Sequence, residues 1–129
     1  MHGLFKALTI SHKKAPLQVR GQIALNEEES KALMLKMREI FDVSEVLVLS
    51  TCNRTEVYYC SETDLGESII RLIASQKVLN SNEILPYFDI ISEHDEAVRY
   101  LFEVSMGLHS QVVGDLQIPN QVKHAYQWS

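Results

Sequence analysis

The chain has 129 residues, of which 46% are hydrophobic and 22% are charged, and its formal net charge is −5. This composition fits a single globular domain and argues against a broad nucleic-acid-binding surface, which usually carries an excess of lysine and arginine. No apolar run approaches the ~20 residues that span a membrane, and the N-terminus has no secretory signal pattern. A secreted, disulfide-built scaffold is therefore disfavoured, and the two cysteines are expected as thiols in a reducing cytoplasm.

The charge is unevenly distributed. The first 26 residues contain Lys6, Lys13, Lys14 and Arg20 and no acidic residue, whereas all 17 acids follow. This basic edge has two interpretations, a contact surface for phosphate or simply a solvated face.

The first predicted elements are a strand and a helix. Leu4 to Ile10 is rich in β-forming residues and predicts a strand, and Ser11 to Arg20 reads as a polar, proline-containing connection. A helix over 26–41 is predicted because Asn26 precedes three glutamates, of which Glu29 occupies the third helical position. Its predicted inner face is Leu33, Met37 and Ile40, flanked by Met34 and Phe41.

Two further strands are predicted to form a hairpin. Glu45 to Thr51 contains a continuous apolar run, typical of a strand that is buried on both faces. Thr55 to Ser61 predicts the next strand. Only three residues separate the two, which is too short for a crossover, so the pair is expected to be antiparallel.

The second half of the chain alternates helix and strand again. A helix is predicted to begin near Asp64, with Glu67 in its first turn and an apolar face made of Leu65, Ile69, Leu72 and Ile73. Leu85 to Ile91 predicts a fourth strand, which Pro86 restricts to an edge or a strand start. The resulting order, β-α-β-β-α-β, predicts an α+β fold with a ferredoxin-like antiparallel sheet.

Additional C-terminal helices are expected after this unit. Ser92 with Asp95 predicts the start of a third helix, and Gly107 and Gly114 indicate a loop or helix break. The inner face of that helix is predicted to be Val98, Leu101, Phe102 and Ser105. Another helical stretch runs from about Pro119, and the chain ends inside it without a cap, which leads us to expect a fragment of a longer protein.

Cys52 is the first candidate for chemistry. It lies at the predicted hairpin tip, within Ser50-Thr51-Cys52-Asn53-Arg54-Thr55-Glu56. A cysteine is nucleophilic as the thiolate, and nearby positive charge such as that of Arg54 favours that form. The alternative is a small buried cysteine that caps the sheet.

The other cysteine and the histidines have weaker signals. Cys60 sits in a strand and is predicted to pack in the core, and no Cys–His spacing matches a zinc site, so no metal is expected. His12 is a candidate base or orienting group, or alternatively a structural residue that holds its loop. The other three histidines considered are predicted to lie at the surface: His94, His109 and His124. No glycine-rich loop for a dinucleotide or nucleoside triphosphate is present.

Four blocks of the sequence resemble the glutamyl-tRNA reductase family, in order and in spacing. The segment Ser50 to Glu56 is similar to the family's active-site signature, and Ser11 to Arg20 is similar to its His-Lys-x-Ala-Pro…Arg block. Ala97 to Val104 resembles its third-helix block, and Gly107 to Tyr126 resembles its block ending in Gln-Val-Lys. The resemblance therefore covers essentially the whole chain.

This resemblance implies a two-step reaction. A cysteine thiolate attacks the ester of glutamyl-tRNA to form a thioester, which NADPH then reduces to glutamate-1-semialdehyde, the precursor of 5-aminolevulinate and the tetrapyrroles. Such covalent catalysis divides one difficult step into two easier ones. The resemblance implies a catalytic domain over 1–129, with a linking helix starting near 119–129. The NADPH-binding and dimerisation domains would lie outside this chain, so no cofactor-binding residue is expected in it.

The resemblance also implies roles for individual residues. Cys52 would be the nucleophile, and Arg54 would pair with the side-chain carboxylate of the substrate, a task suited to a planar guanidinium. Glu56 would hold the substrate's α-ammonium group or brace Arg54. The remaining residues implied to bind substrate are Thr51, Asn53, Ser110 and Gln121.

One position departs from the family pattern in a way that matters for function. Tyr100 stands where the family usually has a histidine that is a candidate acid–base group or active-site hydrogen-bonder. Tyrosine donates a hydrogen bond but, with a reference pKa near ~10, is a poor base at neutral pH. Asp115 for Glu and Pro119-Asn120 for Leu-Gly are expected to be tolerated.

The partners implied are glutamyl-tRNA, glutamate-1-semialdehyde aminomutase and a second copy in a full-length homodimer, with a cytoplasmic location and no membrane. Two other functions fit the residues less well. One is a non-catalytic ferredoxin-like tRNA-binding module that depends on Lys13, Lys14 and Arg20, although the adjacent Tyr58 and Tyr59 should face opposite sides of the sheet. The other is a cysteine hydrolase in which His12 partners Cys52.

Overall fold

We describe the protein from a computed structural model, which covers residues 4–10, 13–43, 45–51 and 54–105. The loop predicted at Gly107 and Gly114 and the helix predicted from Pro119 lie outside these residues. In chain order the elements are β1 (Phe5–Ile10), α1 (Leu17–Ile23), α2 (Glu27–Phe41), β2 (Val46–Ser50), β3 (Thr55–Cys60), α3 (Gly66–Lys77), α4 (Ser81–Ile84), a 3-10 helix (Leu85–Tyr87), β4 (Asp89–Ile91) and α5 (His94–Ser105).

The strands form one antiparallel sheet in the order β2-β3-β1-β4. The predicted hairpin is confirmed, since Val46 of β2 lies opposite Tyr59 of β3 and Ser50 lies opposite Thr55. The α+β class with an antiparallel sheet is also confirmed. The exact ferredoxin-like topology stays a prediction, because α1 and α4 add helices that the simple β-α-β-β-α-β order does not contain.

Each face of the sheet is covered by different helices. On one face, α2 and α3 bury the larger core, and on the other, α5 packs against a smaller apolar cluster. Side chains alternate between the faces of a strand, so neighbours on β3 belong to different cores. The large core includes Leu8, Ile10, Leu33, Met37, Val57, Tyr59, Ile69, Ile70 and Ile73, and the smaller one includes Phe5, Ala7, Leu47, Leu49, Tyr58, Ile91, Ala97, Leu101 and Val104.

The start of α2 confirms the capping prediction. The Asn26 side chain accepts a hydrogen bond from the Glu29 backbone N–H at 2.8 Å, and the Glu29 carboxylate accepts one from the Asn26 backbone N–H at 2.9 Å. This reciprocal pair satisfies two amides that the first helical turn leaves free. The predicted inner face is confirmed at Leu33 and Met37 but wrong at Ile40, which is 59% exposed.

Two segments differ from the sequence-based expectation. Helix α1 begins after Pro16, inside the connection predicted up to Arg20, and extends to Ile23, which it buries. The strand predicted over 85–91 is confined to three residues, because Pro86 lies in a 3-10 helix that occupies its first half. Its position at the sheet edge is as expected from the proline.

Helix α5 buries Ala97, Leu101 and Val104, whereas Phe102, predicted to face inward, is 38% exposed. The Ser92 hydroxyl, predicted to cap this helix, donates instead to Asp64. Within the part of the chain that the structure describes, no helix is both long enough and apolar enough to cross a membrane.

Candidate active site at the β2–β3 hairpin

The tip of the hairpin is closed by two hydrogen bonds between its ends. The Thr51 backbone N–H donates to the Arg54 carbonyl at 2.8 Å, and the Arg54 N–H donates to the Thr51 hydroxyl at 3.2 Å. The two residues between them, Cys52 and Asn53, lie outside the described residues. The described contacts therefore join the two residues that flank the candidate nucleophile in the chain.

Next to its tip, the hairpin is hydrogen-bonded to the connection between α1 and α2. The Ser50 hydroxyl accepts a hydrogen bond from the Leu25 backbone N–H at 2.9 Å and lies 3.1 Å from the Thr55 hydroxyl across the strand pair. Leu25 belongs to the short connection between α1 and α2. The hairpin is thus held to a second element just before its tip.

On the α5 side, a buried ion pair follows the tip. The Arg54 guanidinium donates to the Glu56 carboxylate, with Nη1 2.9 Å from Oε2, and these side chains are only 4% and 0% exposed. The Tyr58 hydroxyl donates to the other oxygen, Oε1, at 3.0 Å. Because residues two apart on a strand share a face, the three side chains form a row leading away from the tip.

The row is completed by residues from β1 and α5. Thr9 lies opposite Glu56 in the β1–β3 register and is buried, and its side chain is close enough to Tyr100 of α5 to influence the pKa of that phenol. We refer to Thr9, Arg54, Glu56, Tyr58 and Tyr100 as the buried polar row. It occupies the end of the α5-facing side of the sheet that adjoins the hairpin tip.

Both tyrosines of the row are held in the neutral form. Burial, followed by the nearby Glu56 charge, raises the pKa of Tyr100 to about 12, while the Thr9 side chain opposes the shift. Burial, followed by the Glu56 charge, raises the pKa of Tyr58 well above its usual value. Each phenol is therefore available as a hydrogen-bond donor, and neither is a base, at neutral pH.

Four residues predicted for the site are brought to this region: Thr51, Arg54, Glu56 and Tyr100. The other predicted site residues lie outside the described residues, namely His12, Cys52, Asn53, Ser110 and Gln121. Sequence reasoning missed Thr9 and Tyr58 as neighbours of the site. The signal for Tyr58 was its spacing of two from Glu56 in a predicted strand.

Two lysines of the basic edge and both tyrosines of β3 have structural roles. Lys6 is buried and its Nζ donates to the Ser61 carbonyl at 2.5 Å, while Lys14 pairs with Asp89 at 2.7 Å. Tyr58 and Tyr59 face opposite sides as expected, and each is only 1% exposed. The basic edge is thus partly used for internal bonds, and the tyrosines are not open stacking surfaces.

His94 and Cys60 are both half-buried and contact neighbouring strands or the core. His94 was predicted to lie at the surface, but it is half-buried and its Nδ1 accepts a hydrogen bond from the Phe5 N–H at 3.1 Å, which ties the start of α5 to β1. His109 and His124 lie outside the described residues. Cys60 is a half-buried free thiol packed beside the smaller core, and burial raises its pKa to about 11, so it is a poor nucleophile.

The described residues do not fit a nicotinamide dinucleotide. Such sites use a parallel β-α-β unit and a glycine-rich turn that lets a pyrophosphate approach the backbone. Here every described strand pairing is antiparallel, and the space beside Gly66 is filled by Ile90. Across the described segments, no group of three or more His, Cys, Asp or Glu side chains could hold a metal ion.

Comparison with known proteins gives a consistent result. A family model for "Glutamyl-tRNAGlu reductase, N-terminal domain" matches residues 8–129. Glutamyl-tRNA reductase of Cytophaga hutchinsonii is 51% identical over 126 residues, which is 97% of this chain and 30% of that protein. The Legionella pneumophila (strain Corby) enzyme of the same name is 36% identical over 96% of this chain and 28% of its own length.

A solved structure agrees with these sequence matches. Glutamyl-tRNA reductase from Methanopyrus kandleri superposes with a TM-score of 0.65 at 28% identity, over 95% of this chain and 27% of that one. The chain thus spans less than a third of the length of the relatives it matches. On the match over residues 8–129, this chain belongs to the glutamyl-tRNA reductase family and corresponds to its N-terminal domain.

Proposed function

We propose that this chain is the substrate-activating domain of an NADPH-dependent glutamyl-tRNA reductase. The observation that carries the proposal is the family match over residues 8–129. The closed hairpin supports it, because the two hydrogen bonds between Thr51 and Arg54 hold together the two residues that flank Cys52 and Asn53 in the chain.

In the proposed step, the Cys52 thiolate attacks the carbonyl carbon of the glutamyl ester. The bond from that carbon to the ribose oxygen breaks, the oxygen takes up a proton, and the tRNA leaves as the glutamyl group becomes a thioester. Reduction of the thioester to glutamate-1-semialdehyde completes the activity proposed for the whole enzyme. That half-reaction uses NADPH bound outside the described residues.

Arg54 of the buried polar row would supply substrate recognition. Arg54 would pair with the side-chain carboxylate of the glutamyl group, because a guanidinium matches the planar geometry of a carboxylate. Its 2.9 Å contact with Glu56 favours the bracing role for Glu56 over direct binding of the α-ammonium group. Thr51, Asn53, Ser110 and Gln121 would bind the rest of the glutamyl group.

Tyr100 would act as a neutral hydrogen-bond donor at the position where the family usually has histidine. Its burial and its raised pKa, about 12, support an orienting role rather than proton transfer. His12 would orient the substrate from the loop after β1. These assignments follow the resemblance of the surrounding motifs.

We infer the remaining properties for the whole enzyme from the same resemblance. It would be a cytoplasmic homodimer that acts in 5-aminolevulinate and tetrapyrrole biosynthesis. Its product would pass to glutamate-1-semialdehyde aminomutase.

The test is to mix the chain with glutamyl-tRNA and measure its intact mass and the rate of tRNA deacylation. We expect a glutamyl adduct on Cys52 or faster deacylation, and neither in Cys52→Ala. Cys60→Ala is the matched control and should behave as the parent chain, because that thiol is half-buried and has a raised pKa. Absence of both an adduct and accelerated deacylation in the parent chain would contradict the proposal.

The alternative of a non-catalytic tRNA-binding module receives less support. Recognition of unpaired bases commonly uses exposed aromatic rings on a sheet. Tyr58 and Tyr59 are both buried, and one of them is bonded to Glu56. Retention of tRNA binding together with an unreactive Cys52 would favour this alternative.

A further inference from the structure

Tyr58 is a buried side chain that the proposed reaction does not use. Its ring stacks on Phe5 with a centroid distance of 5.9 Å, and its hydroxyl points to Glu56. The stacking alone would be equally well served by phenylalanine. Ring packing therefore does not account for the hydroxyl, whose contact is with Glu56.

The two oxygens of the Glu56 carboxylate accept hydrogen bonds from different donors, and this arrangement suggests a role for the Tyr58 hydroxyl. Oε2 accepts from Arg54 at 2.9 Å, and Oε1 accepts from Tyr58 at 3.0 Å. A glutamate carboxylate can rotate about its last side-chain bond, since that torsion is broad. A donor fixed at Oε1 removes this freedom and sets the direction in which Oε2 meets the guanidinium.

We propose that Tyr58 is a positioning residue for substrate recognition, acting through Glu56 to fix the orientation of the Arg54 guanidinium. This rests on the proposed function, in which Arg54 receives the side-chain carboxylate of the glutamyl group. A guanidinium that is fixed in advance loses less conformational freedom when it binds a carboxylate. Tyr58 thereby contributes to the preference for an acidic side chain over its amide.

Tyr58→Phe tests the proposal because it removes the hydroxyl and keeps the ring. Tyr59→Phe is the matched control: the neighbouring tyrosine is equally buried, and its hydroxyl accepts from the Leu65 N–H at 3.0 Å on the opposite face. Both variants lose a buried hydroxyl, so a general loss of stability would affect both. Only Tyr58→Phe alters the contact with Glu56.

The first measurement is Cys52 acylation at increasing concentrations of glutamyl-tRNA and of glutaminyl-tRNA. For Tyr58→Phe we expect the half-saturating glutamyl-tRNA concentration to rise about 5- to 10-fold, in keeping with the net contribution of one typical hydrogen bond, because Tyr58 acts on the substrate only through Glu56 and Arg54. The maximal rate should change little, and the preference over glutaminyl-tRNA should fall. Tyr59→Phe should change none of these values.

A double-mutant cycle tests whether the effect passes through Arg54. In Arg54→Lys, which keeps the charge without the planar fork, adding Tyr58→Phe should raise the half-saturating concentration by less than about 2-fold, because the two residues act as one unit. The same rise in both backgrounds would overturn the proposal.

The second measurement does not depend on acylation. Rotation of the Arg54 guanidinium, followed by NMR exchange between its two Nη groups, should be faster in Tyr58→Phe than in the parent chain or in Tyr59→Phe. Unchanged rotation in Tyr58→Phe would refute the positioning role. If the parent chain is not acylated, the proposed function fails, and this measurement still decides what Tyr58 does.

Discussion

Arg54 and Glu56 form an ion pair of 2.9 Å from which water is almost entirely excluded. Arg54 directly precedes β3, and Glu56 lies on that strand, which also contributes Tyr58. A buried pair is costly to break, because removal of one partner leaves the other as an uncompensated charge. This relationship makes the site and the stability of β3 interdependent.

The first prediction concerns that pair. Glu56→Gln should lower the free energy of unfolding by about 3–5 kcal/mol, the range measured when one partner of a buried pair is removed. Urea unfolding gives the value. Glu27→Gln is the control, because Glu27 pairs with Lys31 at the surface with its side chain 83% exposed, and should cost less than about 1 kcal/mol. Equal effects in the two variants would contradict the argument from burial.

The second prediction concerns the contact between Gly66 and Ile90. A Cβ added at Gly66 would lie 2.8 Å from Cγ2 of Ile90, which is closer than side chains pack. Gly66→Ala should therefore destabilise the protein by roughly 1–3 kcal/mol. Thermal unfolding is measured for Gly66→Ala and for the double variant Gly66→Ala with Ile90→Ala. The double variant should recover part of the lost stability, because alanine at position 90 leaves room for the new Cβ.

Gly21 provides the control for this substitution. It lies in α1, and nothing lies within 4 Å of the position its Cβ would take. Gly21→Ala should stabilise the helix by about 0.5–1 kcal/mol, because alanine loses less backbone entropy. A loss of stability in Gly21→Ala like that in Gly66→Ala would mean that contact with Ile90 is not the cause.

The third prediction concerns Val78, which ends α3. It has a left-handed backbone with φ of 56° and is 90% exposed, so a β-branched side chain occupies a strained conformation without packing in return. Val78→Gly should stabilise the protein by about 1 kcal/mol in urea unfolding. Asp42→Gly, at the left-handed end of α2, should give a smaller gain because aspartate tolerates this conformation better.

The fourth prediction concerns alkaline pH. Burial raises the pKa of Tyr100 to about 12 and that of Tyr58 well above its usual value. A group whose folded pKa is raised contributes stability that is complete below its unfolded pKa, near ~10, and that is lost as pH rises towards the folded value. The free energy of unfolding should therefore fall between about pH 10 and 12.

Tyr100→Phe should reduce the steepness of that fall, because one of the shifted phenols is removed. Urea unfolding across this pH range measures it, and absorbance of the phenolate reports the titration directly. An unchanged slope in Tyr100→Phe would show that Tyr100 is not titrating in the folded state as described.

The regular elements were predictable because each depended on local signals. Helix α2 has a capping pair and a periodic apolar face, and the hairpin follows from two strands separated by three residues. Helix α1 was missed because polar residues and one proline, Pro16, dominate the segment, although Val19 and Ile23 have the four-residue spacing of a helical face. Ile40 was wrongly predicted to face the core. The period of the apolar residues in α2 does not show at which residue the helix stops packing over the sheet.

Four of the predicted site residues lie near one another in the described structure, but their contacts could not be predicted from the sequence. The motif identified Arg54 and Glu56, but it left two roles open for Glu56. This residue would either brace Arg54 or hold the substrate's α-ammonium group. Only the pairing of β1 with β3 and the packing of α5 bring Thr9 and Tyr100 to the same carboxylate. Those relationships are long-range, and one sequence contains no direct signal for them.

The alternation of side chains along β3 limits how the hairpin can vary in length. Insertion of one residue between Thr55 and Tyr58 would move Glu56 or Tyr58 into the core beneath α2 and α3, and would turn Val57 or Tyr59 towards α5. Either exchange would place a carboxylate or a hydroxyl among aliphatic side chains. An insertion or deletion of a single residue in this strand would therefore disrupt the site and both cores together.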